Sequence, residues 1–349
     1  MNNILKKKYN NLFFQIITII IIILLFYFIN RYLHPLPKIN EYYENSNNVS
    51  SNNVSSNNKE YILPRVIYGF WDNLDGNDII QAHINTWYRN IVPGWKVELI
   101  TKKNVHEYVD SDFLEKFKDI DAVRFSDFLR VYLLTKNGGV WMDAGTIMID
   151  GSFLENYRNE MIEKKADILI YEFSDHSKPE QPYLENWFLM APKNSLFIND
   201  LYSEFTKSHD MGYLKYKNKV LAPKISFENS MGDGPSTYHM QHGIIHYLLK
   251  ENNKNNKNNK NNKNNKNNKN NKNNKNNKNN KNKYNMIIKD ANESMFRAQK
   301  INNWESDNLI RYIIDNDDWS DYYAIKLVNF NRKPIENYKE KFINKLNSL

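Results

Sequence analysis

Apolar and polar positions divide the chain into regimes that call for different structures. Leu12 to Ile29 is an almost unbroken apolar run of about 18 residues, interrupted only by Gln15 and Thr18, and is long enough to span a bilayer. Residues 30–60 are polar and carry a duplicated Asn-Asn-Val-Ser-Ser unit. That composition cannot bury a core and predicts a flexible stem. From Tyr61 the pattern becomes periodic. Leu63 to Trp71 reads as a buried strand, Ile79 to Asn90 as a helix, Trp95 to Ile100 as a strand and Val105 to Phe117 as a helix. Asp167 to Glu172 is a further strand, Glu185 to Pro192 a short apolar run, Ser195 to Lys207 a helix and Tyr238 to Leu249 a helix.

The centre of the pattern is the stretch from Asp121 to Asp150. Ala122, Phe125, Leu129, Tyr132 and Leu133 recur at helical spacing, which predicts an amphipathic helix. Asp127 and Arg130 are three apart and share a face of it. Asn137-Gly138-Gly139 ends the helix with residues that tolerate positive φ. Val140 to Ile149 then reads as one buried strand, with Asp143 in its middle. A carboxylate in such a run is costly unless a cation or a hydrogen-bond donor meets it. Asp143 therefore points to a site, whereas Asp127 and Arg130 by themselves would fit a solvated helix face. Alternating strands and helices predict an α/β sheet, whose ligands bind beyond the carboxyl ends of the strands.

Charge and composition change this picture in two places. The net charge is +8, but the tract Asn252–Lys283 holds eleven lysines and no acid, so the rest of the chain is acidic. An acidic body argues against a nucleic-acid-binding domain. The tract repeats Asn-Asn-Lys, buries nothing and reads as a low-complexity insert in a surface loop of the folded domain 61–349. The absence of cysteine excludes disulfides and thiolate metal sites. At the other end, Lys6, Lys7 and Lys8 precede the apolar run and a single arginine, Arg31, follows it. No small-residue cleavage site follows either, so the run is expected to be an uncleaved signal-anchor. The chain then reads as a single-pass type II membrane protein: residues 1–11 a cytosolic tail, 12–29 the transmembrane anchor, 30–60 the stem, and the folded part lumenal or outside. Asn48, Asn53 and Asn292 head Asn-x-Ser triplets, which are glycosylation acceptors in a eukaryotic secretory lumen.

The string Ser126-Asp127-x-x-Arg130, seven residues, then Gly138-Gly139-Val140-Trp141-x-Asp143-Ala144 resembles the sugar-binding region of glycosyltransferases that carry a DXD motif. It looks most like the capsular polysaccharide synthesis group and its family 32-like relatives. Further points of likeness are Val66 to Trp71, the Trp87–Trp95 segment, Asn186 to Ala191, and Gly234-Pro235-x-Thr237. The resemblance implies a GT-A fold, a Rossmann-like nucleotide-diphospho-sugar transferase domain. It implies transfer from a nucleotide-sugar donor to a glycan or glycolipid acceptor, with retention of configuration. By the same likeness, Asp127 and Arg130 hold the donor sugar and nearby phosphate, and Asp143 contacts ribose and metal. Trp71 stacks on the base, and Gly138 and Gly139 let backbone approach the donor. Charge growing on the leaving diphosphate calls for a divalent cation, Mn²⁺ or Mg²⁺, or for fixed positive groups. The chain departs from the motif in one respect: the triplet is Asp143-Ala144-Gly145, without the second Asp. His239 or His242 could then supply a late metal ligand. Asp150 is not expected to replace the missing Asp, and Arg124 reads as a surface residue. The missing Asp also leaves open an inactive, membrane-anchored carbohydrate-binding or scaffold protein of the same fold.

Overall fold

The computed structural model describes residues 60–178, 181–225, 237–261 and 283–349, with the side chains of 252–261 excepted. The predicted tail, anchor and stem with Asn48 and Asn53, Gly234 and Pro235 of the late point of likeness, and most of the Asn-Asn-Lys tract lie outside these residues. Among the described residues no helix is long and apolar enough to cross a membrane.

Residues Glu60–Leu349 form one compact α/β unit. Its strands are β1 (Val66–Phe70), β2 (Lys96–Ile100), β3 (Gly139–Met142), β4 (Thr146–Met148), β5 (Ile168–Glu172), β6 (Leu184–Ala191), β7 (Met286–Asp290) and β8 (Ala324–Lys326). Six of them make a mixed sheet in the order β2-β1-β3-β6-β5-β7, and β4 pairs with β8 in a small antiparallel ribbon. The pairings of β1 with β2 and β3, and of β5 with β7, are parallel. β6 runs against both β3 and β5, so the other five strands of the sheet share one direction.

The main helices are α1 (Asp78–Asn90), α2 (Ser111–Phe117), α3 (Ala122–Asn137), α4 (Ser152–Lys164), α5 (Leu196–Met211), α6 (Met240–Asn261), α7 (Ser306–Asp315) and α8 (Lys339–Ser348). Both faces of the sheet are covered, and the period of two along β3 shows how. Trp141 packs with Phe128, Leu129 and Phe205 of α3 and α5 on one face. Val140 and Met142 pack with Trp87 of α1 and Phe153 of α4 on the other. Ile147 of the ribbon joins a third cluster with Ile310 of α7 and Phe342 of α8.

Helix α3 starts where Asp121 accepts a hydrogen bond from the Arg124 amide at 2.9 Å. It ends at Gly138, whose φ is +72°. A β-carbon on Gly138 would lie 2.4 Å from the Lys193 amide nitrogen, and one on Gly139 2.7 Å from Val66 Cγ1. Gly138→Ala therefore combines a left-handed backbone with a collision against main chain. It should lower stability by about 2–3 kcal/mol, read from the urea midpoint.

Three expectations about elements are corrected. The run 140–149 is two strands in two sheets. The Asp143 amide donates to the Trp187 carbonyl at 2.9 Å and closes the β3 ladder. The Thr146 amide then donates to the Asp143 carbonyl at 3.0 Å, and the chain turns away to meet β8. Asp143 thus sits at the carboxyl end of β3, in a turn. The run 105–117 is a short 3₁₀ turn (Val105–Glu107) followed by α2, because Asp110 in extended conformation caps a new helix through the Phe113 amide. Helix α6 begins at Met240 and continues to Asn261, ten residues into the tract expected to be unstructured. A helix already nucleated by buried residues propagates at little cost per residue.

Asn292, expected as a glycosylation acceptor, is fully buried and donates to Ser174 Oγ at 3.1 Å.

Candidate active site

A cavity of about 1040 Å³ opens at the carboxyl ends of β1, β3 and β5 and the amino end of the reversed β6. Trp71 enters it from the end of β1, Asp143 from the end of β3, Phe173 from the end of β5 and Asn186 from β6. Helix α3 lies along one wall. Its residues 127–134 are all buried, so it is not the half-solvated amphipathic helix its periodicity predicts. Asp127 and Arg130 of its polar stripe line the cavity, and Arg124 is buried beside them.

Asp127 is 5% exposed and Arg130 4% exposed, so a solvated surface pair is excluded. Asp127 is held between Arg124 Nη1 at 3.1 Å and Arg130 Nη1 at 3.2 Å. Arg124, expected at the surface, is buried as well. It donates to the Thr237 carbonyl at 2.6 Å and lies 4.7 Å over the Tyr213 ring. Gln241 of α6 donates to the Asp127 carbonyl at 3.0 Å and accepts from Asn186 at 2.7 Å. Burial pushes the Asp127 pKa up, and Arg130 and Arg124 offset part of that rise.

Asp143 receives three donors. Trp141 Nε1 lies 2.9 Å and Arg130 Nη2 3.2 Å from Oδ1. Lys326 Nζ lies 3.3 Å from Oδ2. Burial disfavours its charge, but Lys326 and Arg130 outweigh burial and hold the carboxyl below the ordinary range. Burial pushes the Lys326 ammonium down, and Asp143 opposes that fall. Arg332 donates to the Leu327 carbonyl at 3.2 Å and sits 5.8 Å over the Trp71 ring.

The structure therefore gathers Asp127, Arg130, Asp143, Trp71 and His239 around one cavity. Gly138 and Gly139 are not there. They lie at the opposite end of β3 from Asp143, against Ala191–Lys193 and Val66, and their conformational freedom serves packing. Asp150 is exposed and caps the turn into α4 through the Ser152 amide at 2.9 Å.

Residues that the sequence reading did not single out complete the site, namely Lys326, Arg332 and Gln241, and Asn186, noted there only as part of a matching run, joins them. A lysine inside the apolar run Ala324–Val328 is as anomalous as Asp143 in its own run, and that signal could have found Lys326. Nothing local marks Arg332 or Gln241.

The donor set bears on the expected metal. Both Asp143 oxygens already face cations. Burial pushes His239 down to about 4, so its imidazole is neutral, but it has no carboxylate pair to join. Among the described residues no three His, Asp or Glu side chains converge to hold a metal ion. These residues do not fit a divalent cation.

The profile of the capsular polysaccharide synthesis protein family matches residues 26–315 of this chain. The chain is 26% identical over 159 residues to O-glycosyltransferase braB of Annulohypoxylon truncatum, across 41% of this chain. That match spans 37% of the relative's length. Among solved structures it is similar to PaToxG glycosyltransferase, with 17% identity and a TM-score of 0.30 over 51% of this chain and 68% of that one. It is also similar to the apo-form glycosyltransferase GlyE of Streptococcus pneumoniae TIGR4, with 9% identity and a TM-score of 0.37 over 82% of this chain and 63% of that one.

Proposed function

Because the chain belongs to the capsular polysaccharide synthesis protein family, we propose that its cavity transfers a sugar from a nucleotide-sugar donor to a glycan or glycolipid acceptor. The observation that carries the reading is the cation-held pair formed by buried Asp127 on α3 and part-buried Asp143 at the carboxyl end of β3, both lining the cavity beyond the strand ends, where α/β sheets bind ligands. Charged groups so deeply placed are maintained against a desolvation cost, and they cluster at functional sites.

In this reading Trp71 stacks on the nucleotide base. Asp127 and Arg130 form a fixed polar edge for the donor sugar, and Asp143 orders the cations around the anomeric end. The far wall supports a sugar-bearing acceptor. Trp304 lies 5.1 Å from Phe173 and 5.3 Å from Phe296, a continuous aromatic surface on which the apolar face of a pyranose can rest. Retention of configuration, the GT-A assignment and anchoring by residues 12–29 belong to the same proposal.

The test is a screen of the full-length chain against a panel of nucleotide sugars, with and without Mn²⁺, followed by Asp143→Ala. Sugar transfer or donor hydrolysis that disappears in the variant upholds the reading. Donor binding without either reaction would make the protein a carbohydrate-binding relative. Trp71→Ala is expected to raise the donor KM about tenfold with little change in kcat, since base stacking on an aromatic ring contributes to binding in both ground and transition states. An unchanged KM would remove Trp71 from the site.

A further inference from the structure

We infer that Lys326 and Arg332, brought in by β8 and the turn after it, supply the positive charge against which the donor's diphosphate leaves, in place of a carboxylate-held divalent ion. The inference rests on the transferase reading and concerns how its leaving group is stabilised.

Gly145 carries the argument. It stands where the DXD-like triplet would place its second carboxylate. A β-carbon there would lie 2.5 Å from Arg332 Nη1, 2.8 Å from the Leu327 carbonyl oxygen and 3.3 Å from Lys326 Nζ. The space a second carboxylate would need is filled by two cations. The exchange is built into the backbone. Thr146 pairs with Lys326 in the β4–β8 ribbon, and the Leu327 amide donates to the Gly145 carbonyl at 2.9 Å. The Lys326 amide is tied to the Met295 carbonyl at 3.0 Å. Lys326 and Arg332 are therefore positioned before any ligand arrives, which is what electrostatic stabilisation of a developing charge requires.

The local charge points to the same ligand. Around the Asp143–Gly145 turn the cations gather: Arg130 and Lys326 lie within 3.3 Å of the Asp143 carboxylate, and Arg332 Nη1 lies against Gly145. The carboxylates elsewhere on the wall stand apart from this turn: Asp72 lies against Lys102 at 2.8 Å, Glu185 lies 3.5 Å from His242, and Asp175 is exposed in the segment after β5. Among the described residues Arg332 has no carboxylate within 4 Å, Asp143 acting on it from farther off, and it sits beside Trp71. An aromatic ring for the base next to an unmatched guanidinium fits a nucleoside diphosphate. In the reaction the bond from the anomeric carbon to the β-phosphate oxygen breaks, and its electron pair stays on that oxygen. The acceptor hydroxyl oxygen forms the new bond to the anomeric carbon, and its proton ends on the departing diphosphate. Lys326 and Arg332 exchange no proton and hold the charge that appears.

Binding of uridine and guanosine diphosphate to the full-length chain, measured by calorimetry in EDTA and in Mn²⁺, tests this. Binding of one of them is expected to change by less than about threefold between the two conditions. Arg332→Gln and Lys326→Met should each weaken it at least tenfold and reduce transfer in EDTA, and Arg332→Lys should recover part of the loss. Circular dichroism of each variant separates lost binding from lost folding. If Lys326→Met does not fold, Arg332→Gln and Arg332→Lys decide the matter. Binding or transfer that vanishes in EDTA and returns with Mn²⁺ overturns this inference and leaves the transferase reading standing. Binding of neither nucleotide, with no transfer from any donor, overturns both.

Discussion

Asp143→Asn is expected to lower sugar transfer about 10²- to 10³-fold, the range seen when one preorganised charge-stabilising contact is removed from an active site. The change is nearly isosteric. Trp141 Nε1 can still donate to the remaining oxygen, and the backbone bonds of residue 143 to Trp187 and Thr146 are untouched. The other end of the amide, however, places an N–H donor against Lys326 Nζ, where a carboxylate oxygen now accepts at 3.3 Å. Lys326 loses the group that opposes the downward pull of burial on its pKa. Its charged form is lost as pH rises through a lowered pKa, so the residual activity of the variant should fall with increasing pH more steeply than that of the unaltered protein. Arg130 keeps Asp127 as a partner, so the fold should survive. Steady-state kinetics across pH, with circular dichroism as the control, measures this. A variant with normal kcat/KM and a normal pH profile would sink the assignment of Asp143.

Asp127→Ala should act first on stability, lowering it by about 3–5 kcal/mol, because it leaves two buried guanidiniums without their shared counter-charge. Arg124 and Arg130 both approach Asp127 within 3.2 Å. Arg130 retains Asp143 at 3.2 Å, but Arg124 is left with a carbonyl and two aromatic rings. The double variant Asp127→Ala, Arg124→Leu should recover part of the loss, since removing both members of a buried pair costs less than removing one. Chemical denaturation of the two variants decides it. Equal stability of the single variant and the unaltered protein would mean that Asp127 is not the charge that holds this wall. Activity should fall in both variants, because Asp127 also orients Arg130 toward Asp143.

These expectations rest on features that differ in how far the sequence reveals them. Helix α3 and its stop at Gly138 follow from spacing and from a residue that tolerates φ of +72°. Both act within a few residues of chain. The strands β1, β2 and β5 follow in the same way from short apolar runs between turns. Asp143 stood out because a carboxylate among apolar neighbours needs a partner, and the need is visible before the partner is. Where one run served two sheets, as at 140–149, hydrophobicity was blind to the change. Burial on both sides of the Asp143–Gly145 turn gives the same apolar pattern as one continuous strand.

What the sequence by itself determined is therefore the set of elements and the expectation of a charged site around Asp127, Arg130 and Asp143. Local hydrogen bonding and hydrophobic periodicity specify those. The tertiary structure decided which charges are buried and what neutralises them. It buried Arg124, moved Gly138 and Gly139 out of the site, and placed Lys326 against Asp143 from 183 residues along the chain. A partner that distant leaves no periodic trace. Its place depends on how the β4–β8 ribbon closes over the end of the sheet, and only the folded chain brings those two segments together.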